Sequence, residues 1–297
     1  MARFRKMVIS VLNVTTHPHS PDMYVRLFHR AATLKKPVKY LGDKHIIIGP
    51  PAAIIPGKFE EGFRGTIYRF IDIDTSNAWL DLNQVQEVVS EDGSPVVDIP
   101  DGLKPNCQYT QFVFFPKGHR LFFISKSHKI LFSESCLANS LERLFSDERI
   151  FEEFGHVNVS AVSTKESILQ ILKIPDITSL TISVTLPNAD DLSHLQQDII
   201  DRMQQQNVNK QMSVMRGVKQ DGIKPDDMTI AYMGVALDNG YIVAEGYSGE
   251  EKVIRKTADH PVKIPVTYDP EIETGILRLE SVARAELPKL ISRGIDD

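Results

Sequence analysis

Apolar residues near the start of the chain run almost without interruption: Met7, Val8, Ile9, Val11, Leu12 and Val14. Such a run is too continuous for one exposed face and predicts a central strand over residues 6–14. The next apolar set, Tyr24, Leu27, Phe28, Ala31 and Leu34, steps by three and four, the spacing of one helical face. Ser20-Pro21-Asp22 supplies the start of this helix, with a hydroxyl cap, a proline at the first position and an acid in the first turn; Pro37 stops it. Strands are expected over 38–48, bent at Asp43-Lys44, and over 63–73. A Pro/Gly-rich loop at 49–62 separates them, and a mixed insertion at 76–97 surrounds Trp79. Residues 109–115 and 120–125 flank Pro116-Lys117-Gly118-His119 as a hairpin. Leu137, Leu141, Leu144 and Phe145 mark a helix capped by Ser135; a short helical piece at 147–154 and a strand at 157–162 follow.

Strand, helix, strand, hairpin, helix, strand is the order of a ferredoxin-like α/β sandwich carrying an insertion. Beyond it the pattern predicts helices over 165–172 and 192–206, and strands over 180–186, 210–218, 229–237, 241–247, 252–256 and 262–268. Asp238-Asn239-Gly240 reads as a tight turn between two of those strands. An amphipathic helix over 271–291 closes the chain, with Ile276, Leu279, Val282, Ala283 and Leu287 on one face. The expected class is therefore α+β with two domains. Residues 1–163 form the ferredoxin-like unit, and residues 164–297 form an antiparallel sheet with flanking helices. No repeat at a period of 20 to 50 residues suggests a solenoid or propeller.

Composition adds little to this picture. A chain of 297 residues, 42% hydrophobic and 25% charged, has enough apolar material for an ordinary globular core. Two cysteines, Cys107 and Cys136, cannot make a disulfide framework in a chain this long, and with no secretory leader they point to a reducing, cytoplasmic setting. No apolar run approaches the roughly 18 residues of a membrane span, so no membrane partner is expected. Charge is less even. Up to Lys129 there are 17 Lys+Arg against 12 Asp+Glu, and beyond it 17 against 27. The segment from Lys104 to Ser133 holds five cations and no acid. A basic first half can attract polyanions, face the acidic half of its own or another copy, or be plain solvated surface.

The common enzyme signatures are missing: no Gly-x-Gly-x-x-Gly, Walker A loop, Gly-x-Ser-x-Gly, His-Glu-x-x-His or Cys-x-x-Cys occurs. Three weaker constellations remain. His17 and His19 precede a helix N-terminus and could serve as acid and base in metal-free RNA cleavage, although His17-Pro18-His19 also reads as a polar turn. Asp72 and Asp74 alternate along a strand and could share Mg²⁺, although solvated carboxylates opposite a buried face fit equally short spacing. Asp226, Glu250 and Lys252 resemble the Pro-Asp…Glu-x-Lys pattern of Mg²⁺-dependent nucleases, although Pro225-Asp226-Asp227 is also a simple turn. In the aromatic hairpin, Phe112, Phe114, Phe115, Phe122 and Phe123 interleave with Lys117, His119, Arg120 and Lys126. Exposed rings of this kind stack bases, but rings on both faces of a strand favour core packing.

Three segments carry a resemblance: Thr16-His17-Pro18-His19-Ser20-Pro21, the stretch Val113-Phe-Phe-Pro-Lys-Gly-His-Arg-Leu-Phe-Phe-Ile124, and Leu186-Pro187-Asn188-Ala189-Asp190-Asp191-Leu192. Together they resemble a bacterial family of unknown function associated with mobile elements and antiphage defence. In its order of elements the second half is also similar to Rex-type phage-exclusion proteins, which are dimeric DNA-binding sensors. The segments imply no mechanism by themselves; taken with the charge split, the resemblance leads to the expectation of a sequence-tolerant nucleic-acid-binding sensor or effector, a homodimer, with a co-encoded defence protein as a further partner and no cofactor. Arg26, Arg30, Lys35, Lys36, Lys117, Arg120, Lys126 and Lys129 are the expected phosphate contacts. A nuclease, using Mg²⁺ only with the Asp226 set, and a protein-interaction subunit are the alternatives.

Overall fold

In the computed structural model the first apolar run becomes β1 (Arg5–Thr16), buried along most of its length. Residues 4–18, 20–75, 77–88, 97, 99–100, 102–128, 130–187, 194–218 and 222–291 are described. Helix α1 (Pro21–Leu34) starts where expected, with the Ser20 hydroxyl accepting from the Met23 amide, and buries Tyr24, Leu27, Phe28 and Ala31. Short strands β2 (Val38–Leu41), β3 (Lys44–Ile48) and β4 (Ala52–Ala53) lead to β5 (Phe63–Ile71). The Trp79 insertion contributes the small ladder β6 (Trp79–Asp81) and β7 (Gln86–Val88). The predicted hairpin is β8 (Gln108–Phe115) and β9 (Arg120–Ser127), trailed by β10 (Ile130–Leu131). Helices α2 (Glu134–Phe145) and α3 (Glu148–Phe154) then precede β11 (Val157–Ala161), with Ser133, two residues before the expected cap, accepting from the Cys136 amide.

The main path through this sheet is β11-β1-β9-β8-β5-β3-β2, antiparallel throughout. Its first four strands have the ferredoxin-like order, with α1 between the first and second in sequence and α2 between the third and fourth. The insertion between α1 and β8 extends the same sheet by β5, β3 and β2. Helices α1, α2 and α3 cover one face, over Leu12, Val14, Phe112, Phe114, Leu121 and Phe123. Each such side chain contributes on the order of 1.5–3 kcal/mol by leaving water.

A second unit holds α4 (Lys165–Leu172), β12 (Asp176–Thr185), α5 (His194–Gln205), β13 (Lys210–Arg216), α6 (Asp227–Asn239), β14 (Gly240–Ser248) and β15 (Glu251–Lys256). Its sheet runs β13-β12-β14-β15, all antiparallel, and α4, α5 and α6 pack their apolar sides onto one face. Residues 229–237, expected as a strand, lie in α6. The run Thr-Ile-Ala-Tyr-Met-Gly-Val-Ala-Leu is apolar all round because α6 is buried between α5 and the sheet, which hides helical periodicity. Asp226 caps it, accepting from the Thr229 amide at 2.8 Å.

The chain then returns to the first sheet. Strand β16 (Lys263–Tyr268) pairs with Arg5–Ser10 of β1, beside the Leu12–Thr16 half that pairs with β11. Helix α7 (Gly275–Ile291) lays Leu279, Ala283 and Leu290 over Met7, Ile9, Val11, Phe115 and Phe122 on the remaining face. Both elements fall within residues 164–297, expected as a separate domain; strand pairing attaches them to the N-terminal sheet, because an edge strand is placed by its partner and not by its neighbours in sequence. Residues 164–260 are thus an insertion between two edge strands.

Gly240, where α6 turns into β14, sits so close to β12 that an added Cβ would lie 1.9 Å from the Ser183 carbonyl oxygen. Backbone cannot yield as a side chain can. Gly240→Ala is therefore expected to destabilise by about 2 kcal/mol or more, read as a lower urea midpoint at unchanged slope.

Candidate nucleic-acid interface

The structure disperses the expected phosphate contacts. Arg120 is buried: its guanidinium reaches Asp238 Oδ2 at 2.8 Å and also donates to Asn13 Oδ1. It is removed from solvent because Asp238, at the end of α6, supplies its counter-charge across the seam between the two units. Arg26 pairs with Glu153, Lys36 with Asp147 at 2.7 Å, and Lys117 with Glu61 at 2.6 Å. Lys129 lies outside the described residues. Arg30, Lys35 and Lys126 remain exposed and carry no ion pair among the described residues, but Arg30 and Lys35 belong to α1 and its cap while Lys126 is near the end of β9. Charge imbalance along the chain therefore does not become one cationic face here.

The seam is a polar joint. Asn13 Nδ2 donates to Asn239 Oδ1 at 2.7 Å and to the Asp238 carbonyl at 3.2 Å, and Ser160 Oγ donates to the same carbonyl. His119, expected as an exposed cation, is buried with its ring 5.2 Å from that of Tyr24. All five hairpin phenylalanines are buried, since both faces of the sheet are covered.

The catalytic candidates are likewise occupied or separated. His17 Nε2 lies 3.0 Å from the Leu186 carbonyl and, with His156, Gln204 and Asn209, lines a cleft of about 460 Å³ between the units; His19 lies outside the described residues. Asp72 pairs with Lys104. The Asp226 carboxylate is held below its usual range by its hydrogen bonds at the Thr229 cap. Lys252 is held by Glu245 at 2.9 Å, and Glu250 lies at the exposed β14–β15 turn. Among the described residues no three His, Cys, Asp or Glu gather as a metal-ligand set.

A different surface has the chemistry expected of the hairpin. The helices of the second unit cover only one face of its sheet. On the other, Met212 (60% exposed), Val214 (51%), Tyr241 (37%), Tyr247 (41%) and Ile254 (46%) stand in the open. Strand register arranges them in rows: Met212 and Tyr241 flank Ser183, Val214 and Val243 flank Thr181 with Lys256 beyond, and Arg216 and Glu245 flank Ser179 with Ile254 beyond. Tyr247 faces Lys252. Lys210, Arg216, Lys252 and Lys256 share this face and are exposed, against two carboxylates: Glu245, which pairs with Lys252, and Asp176, opposite Tyr247 in the register. Tyr241 and Tyr247 are six residues apart on one strand, about 20 Å. The sequence signal was present as alternation: Lys, Met, Val, Arg along β13, Tyr, Val, Glu, Tyr along β14, and Lys, Ile, Lys along β15.

Two substitutions separate structural cations from binding ones. Arg120→Ala strands Asp238 in the seam and is expected to cost about 3 kcal/mol or more in a chemical melt, with no loss of salt-dependent oligonucleotide affinity in the fraction that folds. Asp147 accepts from the Arg149 side chain and amide and from Lys36, which hold its carboxyl far below the ordinary range. A folded pKa below the unfolded one of about 4 gives stability that is present above that value and lost as pH falls through the folded one. Between pH 5 and 2 (roughly the window of carboxylate titration) the melting temperature of wild type should fall more steeply than that of Asp147→Asn.

No helix among the described residues is long and apolar enough to cross a membrane. No curated protein matches the sequence. A family model does match, over residues 5–284, and its coverage of nearly the whole chain makes this protein a member of the family described as Domain of unknown function (DUF4747).

Proposed function

We propose that the protein binds single-stranded nucleic acid, without strong sequence preference, on the open face of the β13-β12-β14-β15 sheet, as a sensor or effector in antiphage defence. The observation that carries the binding is the combination on one uncovered face of two tyrosines with four exposed cations, of which Lys210, Arg216 and Lys256 have no ion pair among the described residues, against two acids, Glu245 and Asp176. A four-stranded sheet with helices on one side and aromatics on the other is a physical solution to holding unpaired bases: rings stack on the bases and flanking cations neutralise phosphates. Side chains of Lys210 and Arg216 on one edge strand and Lys252 and Lys256 on the other bracket the tyrosines of β14. Sequence tolerance follows, since every base has a stacking face. The defence setting rests on the likeness of the three sequence segments alone.

Fluorescence anisotropy with labelled oligo(dT) and oligo(U) tests the binding. Tyr241→Ala and Tyr247→Ala should each weaken it by about 5- to 100-fold, the range of one lost stacking contact. Arg216→Gln and Lys256→Gln should each flatten the log–log salt dependence by about 0.7, the value of one phosphate contact on a single strand. No complex at low salt would overturn the reading. A concentration-dependent dimer broken by Val214→Glu, with no oligonucleotide bound, would give this face to a second copy instead. Shortened products after incubation with Mg²⁺ would favour a nuclease.

A further inference from the structure

A second cationic surface lies on the first sheet, at the end of β1 away from the seam. There β1 is flanked on one side by β9 and on the other by β16, with Val8 opposite Lys126 and Pro265, and Lys6 opposite Thr267. Register slips between Val8 and Ile9, so the β1–β9 ladder loses its regular pairing at this point. A cleft of about 590 Å³ opens here, lined by Lys6, Val8, Lys126, His128, Val266 and Thr267 among others. No carboxylate lines it. Glu134, at the start of α2, is engaged beside Ser10 and Lys263: its Oε1 lies 2.7 Å from the Ser10 hydroxyl and 3.9 Å from Lys263 Nζ. Lys6, Lys126 and His128 are exposed and have no ion-pair partner among the described residues.

We propose that this cleft binds a nucleotide-sized phosphorylated small molecule. The volume falls within the range of small-ligand sites, roughly 300–1,000 Å³. Cations at its rim suit a phosphate group; Val8 and Pro265, paired with each other on the face that carries Lys6 and Thr267, give an apolar floor of the kind a base or sugar needs. Two lysines from different strands converge without a competing carboxylate, so the charge here is unspent, unlike that of Lys36, Lys117 and Arg120. The site is independent of the open face of the second sheet and stands or falls separately from it.

The test is titration of the full ¹⁵N-labelled chain with ADP and, separately, with inorganic pyrophosphate. ADP should saturate with a Kd between about 1 μM and 1 mM, moving amide signals in residues 6–8, 126–128 and 266–267. Lys6→Gln combined with Lys126→Gln should weaken ADP by about tenfold or more, with unchanged signals elsewhere and unchanged oligonucleotide affinity. Lys35→Gln should leave ADP binding as it is. Failure of ADP to saturate, shifts located elsewhere, or wild-type ADP affinity in the double variant would overturn the site. Equal affinity for pyrophosphate and ADP would overturn the nucleotide assignment, because the apolar floor would then contribute nothing.

Discussion

One edge of one strand fixes the plan of this molecule. Strand β1 is twelve residues long, and its free side is divided end to end: Leu12–Thr16 take β11, and Arg5–Ser10 take β16. The two partners meet at Ser163 and Pro261, which bridge to each other, so the chain leaves the first sheet and re-enters it at the same place. Everything from 164 to 260 must fold within that departure and return. Were the C-terminal strand absent, half of an almost wholly buried strand would have unpaired backbone groups along one side, at a cost of about 1–3 kcal/mol for each buried group left unsatisfied. The inserted unit is therefore bound to the first by adjacent chain crossings and by the Asn13–Arg120–Asp238–Asn239 joint. Both constraints act at the same end of the inserted unit and leave its sheet face untouched.

The same return explains the aromatic hairpin. Phenylalanines on alternate faces of β8 and β9 need cover on both sides, and helices before β11 can provide only one. Helix α7 supplies the other, and it reaches the hairpin turn because Gly118 has no side chain: a Cβ there would lie 2.7–2.8 Å from Ile291 and Leu287. Beside that turn Arg120 is buried at the seam, and burial of a guanidinium requires a counter-charge and hydrogen bonds in fixed positions. Asp238 and Asn13 provide them.

Much of the local structure was legible in the sequence because caps, breakers and periodicity act over a few residues. Ser20-Pro21, the break between β2 and β3, expected at Asp43-Lys44 and found one residue earlier, and the 165–172 helix are of this kind. The ferredoxin-like order was legible too, since it depends on element sequence alone. Two features were not. Helix α6 lost its period because it is covered all round, and the edge position of β16 is a pairing made across more than 250 residues. Site residues failed for a related reason. A charge count along the chain records which cations exist, whereas their use depends on which carboxylates fold against them: Glu61, Asp147 and Glu153 are from the first 163 residues, and Asp238 is from the insertion. The open face was written as plain alternation in three strands, yet alternation does not say which side the helices will take.

Why that face remains open is a question of what the rest of the chain can reach. Helices α4, α5 and α6 all lie on the opposite side, and the C-terminal helix is committed to the first sheet. Exposed apolar residues on a four-stranded sheet invite association, and the edges of this sheet counter it with charge: Lys210 and Arg216 on β13, and Lys252, Arg255 and Lys256 on β15. Like charges on both edges oppose strand-to-strand pairing with another copy, while the tyrosines remain on the central strand β14. On the proposed reading a polyanion would reverse that balance, since neutralising the edge cations would remove the repulsion and bring unpaired bases over the rings in one event. The groups that would keep two copies of this face apart are the same groups that a single strand would engage.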